Sequence, residues 1–273
     1  MLGRDVARAA EAVGHDPIAL GHDELDICDA EAVERAIIEN NPGAVVNCAA
    51  WTNVDGAEDH FEEAMAANAA GAAIVAAAAA SLRAPVIYPS TDYVFDGQKP
   101  DGYVESDEVD PLSAYGKSKL EGERETAEHN ARHFIVRASW LFGVNGRNFV
   151  ETMLGLAGHQ DEVVVVRDQI GCPTYTGHLA QGLVRLLDGD PPAYGIHHMA
   201  GSGQCSWYEF AVEIFRQAGV QCQVLSATSD MLDRPAPRPA YSVLVSEREH
   251  PILLPEWEEG LSAFLAERAE AHA

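Results

Sequence analysis

The sequence predicts an α/β fold: a doubly wound, mainly parallel sheet with a smaller, interwoven C-terminal lobe. Three observations predict it. Short apolar runs alternate with longer helical runs through most of the 273 residues, the rhythm of crossover connections between parallel strands. One such run, Pro85 to Pro89, ends in Ser90 and Thr91, and ligand sites of open parallel sheets gather at the carboxyl ends of strands. No internal repeat or flexible linker divides the chain, which is long enough to bury one large core or two modest ones.

The elements follow in order. Residues 2–13 read as a helix stopped by Gly14, and Pro17 to Leu20 as a short strand. Asp29 is an N-cap for a helix reaching about Asn40. Gly43 to Asn47 is a strand, followed by the small residues of CAAWTNVDGAE. The alanine-rich run Ala64 to Leu82 reads as a buried core helix, not a membrane span; Asn68 inside it needs a buried partner. After the Pro85 strand, residues 96–112 are rich in Asp, Gly and Pro and form a loop. Ser113 then caps a helix carrying Tyr115 and Lys119. Arg132 to Ser139 is a strand, Gly143 to Gly146 a turn, and Asn148 and Phe149 open another helix. Val163 to Val166 is strand-like, Gly177 to Leu187 helical, and Gly195 to Met199 a strand. His197 and His198 face opposite sides of that strand, which disfavours a shared metal and gives both a structural reading. Ser206 with Glu209 three residues on makes a capping box. Cys222 to Leu225 is a short strand, DRPAPRPAYSVL an irregular but ordered path, and Trp257 to about Glu270 a final amphipathic helix.

Charge narrows the function classes. Eighteen basic residues stand against 43 acidic ones, a formal net charge of -25. That balance argues against a general grip on nucleic acid or on an anionic membrane surface. It fits a protein adapted to a very salty cytoplasm, where ionic strength screens self-repulsion. The cysteines, Cys28, Cys48, Cys172, Cys205 and Cys222, are odd in number and lack CxxC spacing. They read as free thiols of a reducing compartment, with neither a disulfide framework nor a zinc site. No signal peptide is visible at the start.

Chemistry concentrates in two stretches, PVIYPSTDYVFDG and AYGKSKLEGE. Tyr115 and Lys119 are four residues apart, so they share a helix face. An ammonium beside a phenol favours the phenolate and brings its proton into play near neutrality. A strand-end hydroxyl completes a hydrogen-bonding site around one carbonyl oxygen. That constellation suits redox chemistry at a carbon bearing C=O or C–OH. Arg234 and Arg238, rare cations in this chain, have the planar multi-donor form that a diphosphate requires.

VIYPSTDYVFDG and, about twenty residues on, YGKSKLEGE resemble the extended short-chain dehydrogenase/reductase family, and in detail its dTDP-4-dehydrorhamnose reductase branch. NCAAWTNVDGAE, RASWLFGVNGRNFV, DQIGCPTY, GSGQCSWYEFA and RPAPRPAYSVL extend the resemblance over nearly the whole chain. It implies a Rossmann-like cofactor domain at 1–145 and a mainly substrate-binding lobe at 146–273, with about 168–190 returning to the first. It implies Thr91, Tyr115 and Lys119 as catalytic residues. NADPH or NADH would lie on Gly3, Asp26, Ile27, Ala49, Ala50, Thr52 and Asn68 as well as on Tyr115 and Lys119. A nucleotide-sugar would meet Val54, Ser90, Thr91, Tyr93, Trp140, Asn148 and Arg238, with Gln169 and Pro173 in the wall beside it. Asp26 on the adenosine ribose would favour NAD; an ordinary loop aspartate is the even alternative, so the nicotinamide form stays open.

The resemblance also implies reduction of the C4 ketone of a nucleotide-linked 4-keto-6-deoxy sugar, giving dTDP-L-rhamnose. Sugar dehydratases of the family carry an Asp-Glu pair after the threonine; Asp92-Tyr93 here disfavours that reaction. A nucleotide-sugar epimerase and a non-catalytic, cofactor-binding regulatory subunit stay as alternatives. A homodimer is compatible with the family. So is magnesium at a dimer contact, although no ligand motif supports the metal. Of the family's GxxGxLG turn only Gly3 is present, so the chain is read as N-terminally truncated, and a misplaced start is favoured over a truncated form.

Overall fold

The computed structural model describes residues 1–188 and 193–271. Residues 189 and 190, at the end of the expected returning segment, and 272 and 273 lie outside the described residues. Four parallel strands make the central sheet, in the order β1 (Val45–Val46), β2 (Val86–Thr91), β3 (His133–Ala138), β8 (Gly195–His198). The register sets Ser90 opposite Arg137, and Arg137 opposite His198.

Helices cover both faces, as crossover connections between parallel strands require. On one face α1 (Leu2–Ala12) and α8 (Thr176–Arg185) bring Leu2, Val6, Leu179 and Leu183 against Ile87, Phe134 and Val136. A fully buried side chain of this kind contributes about 1.5–3 kcal/mol. On the other face α2 (Ala30–Asn40) and α5 (Gly71–Ser81) pack Val33, Ile37, Val75 and Ala79 on Val86. The Asp29 carboxylate caps α2 by accepting from Ala32 N at 3.0 Å, as the sequence predicts.

A short helix, α3 (Gly56–Asp59), leads to α4 (Phe61–Met65), and a π turn at Ala66–Ala70 joins α4 to α5. The run Phe61–Ser81 is long and apolar enough to cross a membrane by length and composition. Here it is a core helix, its alanine face packed on α2 and on α6 (Ala114–His129).

The strand expected at Pro17 to Leu20 does not form; the segment has no regular structure, with Ile18 and Leu20 exposed. A strand needs a hydrogen-bonding neighbour, and no described strand pairs with it.

The second lobe has its own core. Strands β5 (Glu162–Val166) and β10 (Gln223–Ala227) pair in parallel, and α7 (Phe149–Ala157), α9 (Trp207–Ala218) and α10 (Trp257–Ala271) cover them. Short pairs tie the lobe to the sheet: β4 (Leu141–Phe142) with β7 (Thr174–Tyr175), and β6 (Ile170–Gly171) with β9 (Cys205–Ser206). The expected capping box is present, with Ser206 and Glu209 bonded reciprocally. His197 and His198 serve structure: the first bonds the Ala193 carbonyl, the second the carbonyls of Tyr103 and Val245.

Candidate active site

Helix α6 lies along β2, and three successive strand residues engage three helix residues one turn apart. The Pro89 carbonyl accepts from Lys119 Nζ at 2.8 Å. Ser90 Oγ donates to Glu123 Oε1 at 2.5 Å. Thr91 Oγ1 donates to Asp92 Oδ1 at 3.1 Å and lies beside the Tyr115 phenol. The helix begins where Ser113 caps it, accepting from Gly116 N at 3.1 Å. It approaches closely because residue 122 is glycine: a Cβ there would overlap the Asn68 carbonyl and the Tyr88 phenol. Tyr88 donates to that same carbonyl at 2.9 Å, so strand, π turn and helix are locked at one crossing.

The groups at the strand end are buried, and burial governs their ionisation. Tyr115 is pushed above its ordinary pKa, first by burial and then by the nearby Asp92 charge, against the Thr91 hydroxyl beside it. Lys119 is pulled down to about 7 by burial, with Glu123 the larger opposing charge and Cys48 the smaller. Its ammonium also stands 3.9 Å from the centre of the Tyr88 ring, a cation–π contact. The sequence reading had Lys119 lowering the Tyr115 pKa. That is corrected: the lysine is turned to Pro89 and Tyr88, and the phenol keeps its proton. Asp92 accepts from Thr91 at 3.1 Å and Ser242 at 2.5 Å, yet burial raises its pKa to about 7. Tyr93 sets its ring edge-on to Tyr115, centroids 5.8 Å apart.

Glu123 is itself clamped. Arg137 donates to both of its oxygens, at 2.9 and 2.7 Å, and each side chain is at most 4% exposed. The Arg137 guanidinium also lies over the Phe95 ring.

Several expected ligands prove to be committed elsewhere. Ser90 turns to Glu123, since successive strand residues, here Ser90 and Thr91, face opposite ways. Asn68, buried in the π turn, bonds Trp51 twice and Ser118 once; it fixes the loop after β1 to α6. Ile27 packs on Gly71. Asn148 caps α7 and holds the turn through the Gly143 and Gly146 carbonyls, which uses up its amide. Arg238, read as a diphosphate ligand, grips Asp55 with two bonds of 3.0 and 2.9 Å. That pair ties the proline-rich segment to the loop after β1, and Arg238 also bonds Tyr93.

Other expectations land around the opening. Ala49, Ala50 and Thr52 are exposed, and Val54 is partly so, in the loop leaving β1. Gly3 lies against Cys48 at the same end. Asp26 is exposed and accepts from Cys28 N. Trp140, in a left-handed backbone conformation (φ 49°), stacks on Trp207 with centroids 3.6 Å apart and covers Gly171. Gln169 is buried and bonds Ser229. Among the described residues no three His, Cys, Asp or Glu side chains are grouped to hold a metal.

Sequence reasoning missed Asp92, Asp55 and the Glu123–Arg137 pair. Glu123 had a signal: it continues the four-residue spacing of Tyr115 and Lys119 along one helix face. Arg137, a charge inside an apolar strand, had one too. The link between Asp55 and Arg238 joins residues far apart in the chain and left no local trace.

Comparison with known proteins places this geometry. The profile of the RmlD substrate binding domain family matches residues 1–270. The chain is 40% identical over 272 residues to a spore coat polysaccharide biosynthesis protein of Bacillus subtilis, covering 99% of this chain and 95% of that one. It is 41% identical to a dTDP-4-dehydrorhamnose reductase of Sinorhizobium fredii, covering 89% of this chain and 86% of the relative. A crystal structure of the Bacillus anthracis dTDP-4-dehydrorhamnose reductase in complex with NADP superposes with a TM-score of 0.94 at 38% identity, covering 97% of this chain and 95% of that one.

Proposed function

The chain belongs to the RmlD substrate binding domain family, in the dTDP-4-dehydrorhamnose reductase branch of the extended short-chain dehydrogenases, and on that premise we propose that the Tyr115 site reduces a keto-sugar nucleotide. The protein is an oxidoreductase: it catalyses NAD(P)H-dependent reduction of dTDP-4-dehydro-L-rhamnose to dTDP-L-rhamnose, a step of nucleotide-sugar and polysaccharide biosynthesis. One observation carries the assignment to this site: the convergence of Tyr115, Thr91 and Lys119 where β2 ends against α6.

The residues fit a dinucleotide at this end of the sheet. Gly3 in the first turn of α1 has no side chain of its own and lies against Cys48. The first amides of α1 carry no side-chain cap, which suits a phosphate. Lys119 supplies a cation close to Tyr115. When bound, the reduced nicotinamide supplies the hydride for C4 of the sugar.

The remaining chemistry is the chain's own. Tyr115, held protonated, donates its proton to the C4 oxygen as negative charge develops there. Thr91, beside that phenol, fixes the direction from which the oxygen is approached. Lys119 would hold the nicotinamide ribose hydroxyls from its place at the Pro89 carbonyl. Tyr93 and Trp140 offer aromatic faces at the rim for the sugar. We assign 1–145 mainly to the cofactor and 146–273 mainly to the sugar nucleotide.

The test is turnover. The protein incubated with dTDP-4-dehydro-L-rhamnose should consume NADPH or NADH stoichiometrically with product, and Tyr115→Phe should cut kcat by roughly 10²–10⁴-fold. A wild-type protein that consumes no reduced nicotinamide, or a Tyr115→Phe variant at full rate, would refute the reading.

A further inference from the structure

Glu123 has no part in the chemistry described so far, yet it is built into the site with unusual care. It is 3% exposed. Its two carboxylate oxygens receive three donors: Ser90 Oγ at 2.5 Å, Arg137 Nε at 2.9 Å and Arg137 Nη2 at 2.7 Å. A carboxylate this deep costs several kcal/mol in desolvation, and a well-packed apolar side chain often serves stability as well or better. Stability alone is therefore a weak reason for its presence.

Its position supplies a better one. Glu123 is one helical turn beyond Lys119 on the same buried face of α6, at the spacing where side chains meet. The two residues are anchored to consecutive residues of β2, Lys119 on the Pro89 carbonyl and Glu123 on the Ser90 hydroxyl. The next strand residue is Thr91. We propose that Glu123, clamped by Ser90 and Arg137, is a positioning residue for the reductase reaction: it holds the buried Lys119 cation at the strand end where the dinucleotide ribose is received.

The surroundings of Lys119 leave Glu123 as its main counter-charge. From β2 the amine faces the Tyr88 ring, from beyond β1 the Cys48 thiol, and from α6 itself Glu123. Cys48 is pushed up to about 12 and Tyr115 higher than its ordinary value, both by burial, so both are neutral at physiological pH. Arg137, on the far side of the carboxylate in β3, fixes Glu123 in place. Burial brings Lys119 down to about 7 even with Glu123 present, so small changes in that carboxylate reach the working pH.

The inference rests on the proposed reductase reading, and its test separates the two. Wild type, Glu123→Gln, Glu123→Asp and the double variant Glu123→Gln/Arg137→Met are compared. The readouts are kcat/KM for reduced nicotinamide against pH and, independently of turnover, the pH dependence of NADPH binding by fluorescence titration. In both proteins bearing Gln the alkaline limb should move down by about one pH unit, with loss of binding of about tenfold near pH 7.5 and recovery near pH 6. Glu123→Asp, which keeps the charge, should hold the wild-type limb. The double variant removes the Arg137 charge that the single one would leave buried without its carboxylate, and so guards against misfolding. A folded Gln variant that loses affinity equally at every pH overturns the proposal, as does failure of all three variants to fold, which would assign the pair to stability. Absence of turnover in the wild type with the expected shift in binding would overturn the reductase reading and leave this one standing.

Discussion

Replacing Asp92 with asparagine tests the electrostatics of the strand end most directly. The Asp92 carboxyl is 2% exposed, and burial lifts its pKa from 3.8 to about 7 despite the bonds from Ser242 and Thr91. A carboxyl with a folded pKa above its unfolded value holds its proton longer in the folded chain. Between about pH 4 and pH 7 the folded state therefore binds more protons, stability falls as pH rises, and the full cost stands above pH 7. The interval from 3.8 to about 7 corresponds to about 4 kcal/mol at 1.36 kcal/mol per pH unit. Asp92→Asn makes the neutral form permanent in nearly the same shape. The two proteins should be of similar stability near pH 4, and the variant more stable by up to about 4 kcal/mol near pH 8. At roughly 2–4 °C per kcal/mol for a chain of this size, the melting temperatures should part by about 10 °C. Circular-dichroism melts across that range read the gap. Lys119, lowered to about 7 from 10.5, makes stability rise with pH only above about 7, and does so in both proteins. Melting profiles that run parallel from pH 4 to pH 8 would show that Asp92 is ionised throughout and refute the reasoning.

Two further predictions concern the rim and the surface. Asp55→Asn removes the charge that Arg238 grips with two hydrogen bonds, so the proline-rich segment should loosen and stability fall by about 1–3 kcal/mol. Hydrogen exchange should quicken at the amides of Tyr241 and Val245, which anchor that segment to Gly97 and Tyr103; unchanged exchange there would count against the link. The net charge of -25 should make stability depend on salt. Raising KCl from about 0.1 to 1 M shortens the screening length from about 10 to 3 Å and should raise the melting temperature, and a flat response would retire the salt-adapted reading.

The sequence was most informative where structure follows from local rules. Asp29, Ser113 and Ser206 were all recognisable as caps, since a side-chain oxygen beside orphan amides is a local matter, and each accepts from an amide of its first turn. The strand Val86–Thr91 and the helix spacing of Tyr115 and Lys119 were legible for the same reason. Partnership between distant segments was not. Arg238 reads as a free cation in its own stretch and becomes half of an ion pair only because the fold brings the β1 loop beside it. Asn148 and Ser90 were expected to face a ligand; their donor groups engage a turn and Glu123. Pro17 to Leu20 has the composition of a strand and lacks a described neighbour to pair with.

The ionisation of the strand end is consistent with the direction of the reaction. Burial pushes Tyr115 and Asp92 up and Lys119 down, so all three are biased toward their neutral forms. A phenol biased toward its neutral form is the right state for reduction, in which it must begin as a proton donor; for oxidation it would have to begin as a base. The lysine is the opposite case, because the ribose contact proposed for it needs the charge that burial removes. Only groups packed beside it restore that charge, and among them Glu123 makes the largest contribution. The buried ion pair behind β2 and the hydroxyls in front of it are thus parts of one arrangement, linked through residues 89 to 91. Disturbing the pair should therefore alter the alkaline limit for dinucleotide binding even though neither Glu123 nor Arg137 occupies a place at the reacting carbon.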